Sequence, residues 1–551
     1  MLALSSCGVS TLEDGDHAPS KNSCESTDEC GANATCWSNT CRASRGVHDS
    51  LLLVVTPGST TMGVGGVRFL VPQEHLAEPR PSLDLELAPP SVVRGTVTVD
   101  DRALACDVHV TFTPVDRVRG LPPDEHTVRT ASGKLEASIP AGSYEVYVQP
   151  TKEPTFACDL APRLHREVSV GAGAFELPLS FGSSQRLHLE FKVGGMDLAG
   201  WRAVVLDSVT GRRLSGERSL SAELWKDQSY VAEIEFNPVA GDALTGQELI
   251  QLAPPEGVLA PTLVWKREGL EVFQPGQLAM DLRGVDLEMG SYAGFIEGPD
   301  RRQQAGRLRF TSLSLTGLGG GLFGVFNATA EADESGAFSI SALPLGTYRV
   351  HVTPAEGSGL GAKEVEIEVT GKGQGGATIV LEALAPISGS VVFDQPGRPG
   401  VAGATVHAVA MPRQVEFQAF RAALGERPFV PRASSGITTS EGTFKLDADP
   451  GTYDLSVRPP AGSNLPWLVR TRVAVPLTQS TLGELSIHAP VLQPGTVSIG
   501  GQPVAGASVK AYAYLGEDGF VAERARAVGV VAVGEAYTDA RGGFVLALPS
   551  R

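Results

Sequence analysis

The sequence predicts an all-β chain made of tandem antiparallel β-sandwich modules behind a small disulfide-rich N-terminal segment. Two observations support this fold class. The 551 residues include 64 Gly and 38 Pro, an excess that is typical of many tight turns between short strands. A pattern of short, alternating strands also recurs along the chain. At this length a single hydrophobic core is excluded, and three to five domains are expected.

The repeat begins with a turn glycine and ends in a strand that opens with tyrosine. Its three full copies are DESGAFSISALPLGTYRV, TSEGTFKLDADPGTYDLSV and ASGKLEASIPAGSYEVYV, and TDARGGFVLALP repeats the first half. The turn supplies side-chain hydrogen bonds and a residue that tolerates positive φ. The aromatic residues fall on period-2 strands, where they can fill a core between two sheets. We therefore predict as core residues Phe338, Tyr348, Phe444, Tyr453, Tyr144 and Phe544.

A Gly-x-Val strand precedes each copy, and in two copies a V-A-G-A-x-V strand follows it. The Gly-x-Val strands begin at Gly95, Gly389 and Gly495, and the V-A-G-A-x-V strands cover 401–406 and 504–509. Downstream of each full copy, a closing hairpin is expected. Each unit then holds about seven short strands over roughly 90–100 residues, which is the size of a β-sandwich.

This order of motifs resembles the carboxypeptidase regulatory-like domain, a prealbumin-like, carbohydrate-binding-like β-sandwich with an Ig-like fold. The resemblance is to the accessory domain of certain metallocarboxypeptidases, which carries no catalytic residues. With the cysteine-rich head, the chain is similar to surface lipoproteins of myxobacteria. The resemblance implies a signal remnant and tether at 1–23, a cysteine-rich module at 24–43, a β-rich connecting segment at 44–88, carboxypeptidase regulatory-like sandwiches at 89–182, 289–384 and 385–490, a diverged sandwich at 183–288, and a truncated module at 491–551.

The last copy stops where the other copies continue into Pro-Gly-Tyr and at least three more strands. Without those strands about half of the sandwich core would be absent. We therefore expect partial exposure, beside unpaired strand edges, of Val497, Val509, Phe544 and Leu546.

The seven cysteines indicate an oxidising compartment. Four of them lie in a segment with almost no apolar residues, so a cross-link is needed to give it a shape. Their gaps are wider than the tight pairs of zinc sites, which favours two disulfides among Cys24, Cys30, Cys36 and Cys41, with three connectivities open. A further disulfide is expected between Cys106 and Cys158, which fall in one repeat.

Cys7 follows Leu4, Ser5 and Ser6 in an arrangement that resembles the bacterial lipobox, in which the cysteine carries the lipid. Only six residues precede it, fewer than the apolar region of a signal peptide requires. Either translation starts upstream of Met1, or the match is accidental. The adjoining cysteine-rich segment favours lipid attachment at Cys7, with the polar stretch 8–23 as the tether.

No catalytic, cofactor or metal site is predicted, and we do not expect an enzyme. His75 and Glu78 match H-x-x-E, but no third zinc ligand or catalytic scaffold accompanies them. Gly371, Gly373 and Gly376 spell G-x-G-x-x-G between two strands, so the segment is a turn and not a dinucleotide site. The net charge of −17 without a Lys/Arg cluster excludes nucleic acid as a partner.

Trp467, on a loop after a tyrosine strand, is the one candidate ligand contact. The alternative is that its ring covers the end of the core.

Together these observations favour a non-catalytic, lipid-anchored stalk and binding scaffold of the bacterial outer membrane or cell surface, or a periplasmic or secreted protein. Its expected partners are envelope proteins or polysaccharide. The alternatives are a carbohydrate-binding protein that uses the sandwich loops and an accessory subunit of a separate envelope enzyme.

Overall fold

A computed structural model gives the fold. It describes residues 34–37, 40–43, 50–58, 67–72, 82–87, 89–99, 101–104, 106–115, 125–151, 160–181, 184–194, 196–223, 229–239, 248–266, 271–274, 277–285, 287–318, 322–371, 373–410, 424, 431–460, 462–463, 465–476, 480–514 and 530–549. These residues form strands and connecting turns, with no helix among them. The all-β prediction is confirmed.

The first five strands belong to three separate sheets. Residues 34–43 form a two-stranded antiparallel sheet in which Cys36 lies opposite Cys41. The three strands after it join the far end of the chain, as described below. The bounds are β1 Ala34–Trp37, β2 Thr40–Ala43, β3 Ser50–Thr56, β4 Val67–Pro72 and β5 Leu83–Leu87.

Modules 1 and 2 follow in sequence. Module 1 contains β6 Ser91–Val99, β7 Arg102–Ala103, β8 Val108–Pro114, β9 His126–Arg129, β10 Lys134–Ile139, β11 Gly142–Pro150, β12 Arg163–Val170, β13 Ala174–Glu176 and β14 Leu179–Ser180. Module 2 contains β15 Gln185–Val193, β16 Arg202–Asp207, β17 Arg218–Ser219, β18 Ser221–Glu223, β19 Ser229–Phe236, β20 Glu248–Ala253, β21 Thr262–Lys266, β22 Glu271–Gln274 and β23 Gln277–Leu282.

Modules 3 and 4 continue the chain, and the last strands belong to module 5. Module 3 contains β24 Met289–Glu297, β25 Gly306–Leu315, β26 Leu322–Val325, β27 Asn327–Ala332, β28 Ala337–Pro344, β29 Gly346–Pro354, β30 Lys363–Val369 and β31 Gln374–Val380. Module 4 contains β32 Ala385–Phe393, β33 Thr405–Ala410, β34 Ser434–Ile437, β35 Thr443–Ala448, β36 Gly451–Arg458, β37 Leu468–Val475 and β38 Ser480–Ile487. The final strands are β39 Val491–Ile499, β40 Gln502–Pro503, β41 Ser508–Tyr514, β42 Val530–Tyr537 and β43 Gly543–Leu548.

Every module has two sheets that enclose one apolar core. We call the sheet that holds the Gly-x-Val strand, or the strand equivalent to it, the first sheet, and the other the second sheet. In module 4 these are β35-β32-β38 and β34-β33-β36-β37, and the core is a single cluster that draws on both sheets. The pairings are mostly antiparallel, but in modules 1 to 4 the last strand runs parallel to the first strand, as β38 does to β32. The predicted closing hairpin is therefore wrong, because its two strands lie in different sheets.

The repeated tyrosine is a core residue with a local hydrogen bond. Tyr348 and Tyr453 are fully buried, and the six predicted core residues are confirmed. The hydroxyl of each repeat tyrosine donates to a carbonyl four residues earlier: Tyr144 to Pro140 at 2.7 Å, Tyr348 to Pro344 at 2.6 Å and Tyr453 to Asp449 at 2.8 Å. The ring thus fills the core while its polar end fixes the corner before the strand.

The repeated Gly-x-Val and turn-phenylalanine motifs meet in the first sheet. Gly389 pairs with Phe444, and Gly495 pairs with Phe544. A Cβ added at Gly389 would lie 3.0 Å from the Phe444 ring, and one at Gly495 would overlap the Phe544 ring. Glycine is required here because the aromatic side chain crosses directly over its backbone.

Module 5 combines two segments from distant parts of the chain. In its second sheet, β4-β3-β41-β42, strand β3 pairs antiparallel with β41, and in its first sheet β5 pairs parallel with β39. Strands β3, β4 and β5 thus take the places that β36, β37 and β38 hold in module 4. The polar contacts between the two segments span 412 residues, as in the bond from the Thr496 hydroxyl to Asp84.

The predicted exposure of the last module is therefore wrong. Val497 and Leu546 are at most 1% exposed, and Val509 and Phe544 are also buried. The cover comes from the N-terminal segment, whose contributions to the same core cluster are Leu51, Leu53, Val55, Val71, Leu83, Leu85 and Leu87. The segment expected to be a connector supplies the strands that the repeat at the other end lacks.

Candidate functional site

The outer face of each second sheet, which is turned away from the module's own core, is the surface on which the modules differ most. In module 1 this face packs on module 2: Tyr147 and Leu164 are buried and belong to the core cluster of module 2. The Tyr147 hydroxyl donates to the Arg213 carbonyl at 3.0 Å. Arg166 of module 1 also pairs with the buried Asp207 of module 2 at 2.7 Å.

The same face is also covered in module 2, and it is partly covered in modules 3 and 5. The outer face of module 2 carries Val204, Leu206, Leu249 and Val264, which form a second apolar cluster with Val325 of module 3 and Leu424 of module 4. Strand β26 of module 3 pairs with β21 and so extends the sheet of module 2. On module 3, the Asn327 side chain donates to the Leu424 carbonyl at 3.3 Å. On module 5, Leu52 and Tyr512 are buried against each other.

The outer face of module 4 is open. The register across the sheet places Ile437 and Arg458 opposite Thr405, on its two sides. Ile437 is 69% exposed and Val409, on the same face, is 54% exposed. At one margin Val469 packs against the core of module 5. The remainder of the face presents to solvent the aliphatic side chains of Ile437 and Val409 and the Arg458 cation.

Trp467 lies at the edge of this open face and is half-buried. The Arg458 guanidinium stacks on its ring, 4.2 Å from the centroid. Among the residues that the structure describes, no carboxylate pairs with Arg458. On the same face, burial and then the Arg458 charge lower the pKa of His407. Burial lowers the pKa of Arg470, on β37, to about 10.

The stacking limits what Trp467 can bind. Arg458 occupies one face of the indole, so a sugar ring could stack there only after it displaced the guanidinium. The two side chains together form one amphipathic group, with an apolar ring and an exposed fork of N–H donors. Sequence reasoning found Trp467 but missed Arg458 and Ile437. The alternation of β34 and β36 was a signal, because it places both residues opposite the core-facing positions.

A similar arrangement occurs at the junction of modules 1 and 2, where it is complete. There Arg212 lies over the Tyr147 ring at 4.8 Å and pairs with Glu125 at 3.2 Å. The aromatic ring and the carboxylate come from module 1, and the cation comes from module 2. Module 4 thus carries the aromatic ring and the cation of such a junction, while the described residues supply no carboxylate.

For most of the predicted cysteine sites, the structure does not describe the side chains. Cys7, Cys24, Cys30 and Cys158 lie outside the described residues, and for Cys36 and Cys41 only the strands are described. Cys106 is half-buried beside the core of module 1 and is disulfide-bonded. Its pairing with Cys158 stays a prediction.

The H-x-x-E and G-x-G-x-x-G motifs, which were rejected as sites from the sequence, also form no site among the described residues. His75 and Glu78 lie outside the described residues. The G-x-G-x-x-G segment runs from the connection after β30, in the second sheet, into β31 in the first sheet, with positive φ at Gly373 and at Gly376 within β31, so no helix follows it as a dinucleotide site requires. Across the described ranges, no three His, Cys, Asp or Glu side chains come together as a metal site. The same ranges contain no helix long and apolar enough to cross a membrane.

Comparison with known proteins gives only distant structural similarities. No protein-family model and no curated protein sequence matches the chain. A streptococcal ancillary pilin aligns over 55% of this chain and 99% of its own, with 10% identity and a TM-score of 0.22. A minor pilin of Streptococcus agalactiae aligns over 36% and 96%, with 9% identity and a TM-score of 0.23. The shaft pilin of Lactobacillus rhamnosus GG aligns over 37% and 98%, with 10% identity and a TM-score of 0.18. These scores are too low to carry an argument about function.

Proposed function

We propose that this chain is a non-catalytic structural and binding protein of the bacterial cell envelope, held by a lipid on Cys7. The observation that carries the structural role is the use of module faces as internal interfaces. The outer faces of modules 1 and 2 are packed, those of modules 3 and 5 are partly covered, and the N-terminal segment is built into both sheets of module 5. Such packing suits a scaffold that holds its modules in a fixed arrangement and presents the remaining face.

The junction between modules 3 and 4 illustrates how the arrangement is held. Asp449 is fully buried and accepts a hydrogen bond from the Ala362 backbone N–H of module 3 at 2.8 Å. Arg432 pairs with Asp449 at 2.7 Å and donates to the Leu360 carbonyl at 2.8 Å. A charge-assisted network of this kind fixes the angle between two modules more tightly than a flexible linker would.

The anchor is tested by mass spectrometry of the N-terminal peptide of protein purified from its native membranes. We expect a mature N-terminus at Cys7 that carries a diacylglycerol-type lipid, and we expect Cys7→Ala to move the protein to the soluble fraction. Cys106→Ala is the matched control, because it removes a cysteine within module 1 and should leave the protein in the membrane. A mature N-terminus at any other residue would contradict the anchor.

The rival function is polysaccharide binding, which Trp467 favours because its ring lies at the edge of the open outer face of module 4. Affinity electrophoresis through gels that contain envelope polysaccharide tests it. A glycan site requires that Trp467→Ala abolish the retardation while Trp37→Ala in the cysteine-rich segment leaves it intact. Equal migration of all three proteins would remove this candidate.

A further inference from the structure

The exposed face of module 4 has a counterpart of opposite charge on module 5. On the outer face of the first sheet of module 5, β43 presents Val545, 58% exposed, and β39 presents Leu492, 47% exposed. On the other side of β39, Asp84 and Glu86 of β5 face outward and are exposed. Hydrogen bonds from the Ser498 hydroxyl and the Gly501 backbone lower the pKa of Glu86, so this carboxylate is charged at neutral pH.

The spacing of apolar and charged groups is similar on the two faces. On module 4, Ile437 and Arg458 lie on either side of Thr405, two strand spacings apart, or about 10 Å. On module 5, Val545 is opposite Pro494 and Asp84 is opposite Thr496, one on each side of β39. Two strand spacings and two residues along the strand separate Val545 from Asp84 by about 12 Å. Each face can therefore meet the other with aliphatic against aliphatic and cation against carboxylate.

We propose that the open face of module 4 docks onto the acidic and apolar face of module 5 in a second copy of this chain. Arg458, stacked on Trp467, pairs there with the carboxylates of β5, while Ile437 and Val409 pack against Val545 and Leu492. The junction of modules 1 and 2 provides the precedent, since its stacked arginine finds its carboxylate across a module boundary. The two faces differ, so the contact is heterologous, and a dimer keeps one free face of each kind, one on each copy.

A heterologous contact makes a specific prediction about mixtures. Arg458→Glu disables the module 4 face and leaves the module 5 face intact, and Val545→Asp does the reverse. Both changes add negative charge, so the two altered faces do not attract each other. Each variant alone should therefore fail to associate. A mixture of the two should form a capped 1:1 dimer, because one functional face of each kind remains. An interface that joined two identical faces could not be restored in this way.

The experiment is sedimentation velocity of the full chain carrying Cys7→Ser, so that no lipid drives association. We expect the sedimentation coefficient of the parent to rise with concentration, each variant to associate at least tenfold more weakly, and their mixture to sediment as a dimer. Arg302→Glu in module 3 is the matched control, because this exposed side chain pairs only with its neighbour Asp300, and it should associate like the parent. Glu86→Gln serves as a second module 5 variant that removes the negative charge and keeps the shape of the side chain.

If the Cys7→Ser parent stays monomeric at every protein concentration measured, the proposal is overturned, and the open face is assigned to another protein or to a glycan. Association that both variants retain, or a mixture that stays monomeric, would overturn it as well. The proposal rests on the structural role proposed above, but the two fail separately. Loss of lipid at Cys7 would leave the capped dimer intact, and loss of the capped dimer would leave the membrane anchor intact.

Discussion

Modules 4 and 5 share the Gly-x-Val, V-A-G-A-x-V and turn-phenylalanine motifs, yet module 4 is a continuous segment and module 5 is assembled from two. In module 4, β36 to β38 follow directly after the turn-phenylalanine strand β35. In module 5, the equivalent positions are filled by β3 to β5, which precede the rest of the module by more than 400 residues. A sandwich core therefore requires the right strands in the right places, and it does not require that they be consecutive.

The difference affects what each module needs in order to fold. Module 4 can close its core from local contacts, with the tyrosine corner immediately after the turn. Module 5 can close its core only after the two ends of the chain have met. Forming such long-range contacts is slow, because the entropy cost of closing the long loop precedes any stabilising contact. In the native state, however, the two cores are equally complete, since Val406 of module 4 and Val509 of module 5 are both fully buried.

The largest expected effect is that of Tyr453→Ala in module 4. It removes a fully buried ring and the hydrogen bond to the Asp449 carbonyl, and should lower the free energy of unfolding by about 3–5 kcal/mol. Because module 4 is continuous, hydrogen exchange should accelerate across 385–487 and stay slow in module 1. Unchanged exchange in 385–487 would show that Tyr453 does not support this core.

Leu53→Ala should show that module 5 is one unit. Leu53 is 1% exposed in β3, between β4 and β41, and its truncation should cost about 2–5 kcal/mol. We expect hydrogen exchange to accelerate together in 50–56 and 508–514, although the second segment is unchanged in sequence. Exchange that accelerates in 50–56 alone would contradict the shared core. Val209→Ala, an exposed site in module 2, is the control.

A matched pair of glycine variants compares the two modules at one motif. A Cβ at Gly389 would press on the Phe444 ring, and one at Gly495 would press on the Phe544 ring and on the Leu83 carbonyl 2.7 Å away. Each alanine should cost about 1–3 kcal/mol in thermal unfolding. Only Gly495→Ala should also loosen β5, which limited proteolysis between 82 and 90 would detect. Equal cleavage in both variants would show that β5 is not held by its contact with Gly495 of β39.

The smallest effect is expected from Arg458→Gln on the open face. Its guanidinium is exposed and contacts only the Trp467 ring, so its loss should change stability by less than about 1 kcal/mol. Arg432→Gln in the same module is the contrast, because it leaves the buried Asp449 without its cation and should cost several times more. Chemical denaturation of both variants measures the difference, and equal losses would show that Arg458 has a structural role.

The local part of the fold could be predicted because its causes lie within about twenty residues. The turn glycine, the turn phenylalanine and the corner tyrosine recur at a similar spacing in each full copy, and the burial of Tyr453 and Phe444 follows from strand alternation. Trp467 could be identified as a candidate contact for the same reason. Its partner Arg458 could not, because their contact joins the end of β36 to the loop before β37, and spacing alone does not bring these side chains together.

The sequence by itself determined the sheet-forming segments, the core residues of each repeat and the need of module 5 for more strands. Only the tertiary structure decided where those strands come from, because any segment with the alternation of 50–87 satisfies the same core. It also decided that in modules 1 to 4 the last strand runs parallel to the first, and that the outer face of module 4 stays open. Hydrophobic alternation specifies which side of a strand is buried, but the partner that buries it is chosen by contacts between residues hundreds of positions apart.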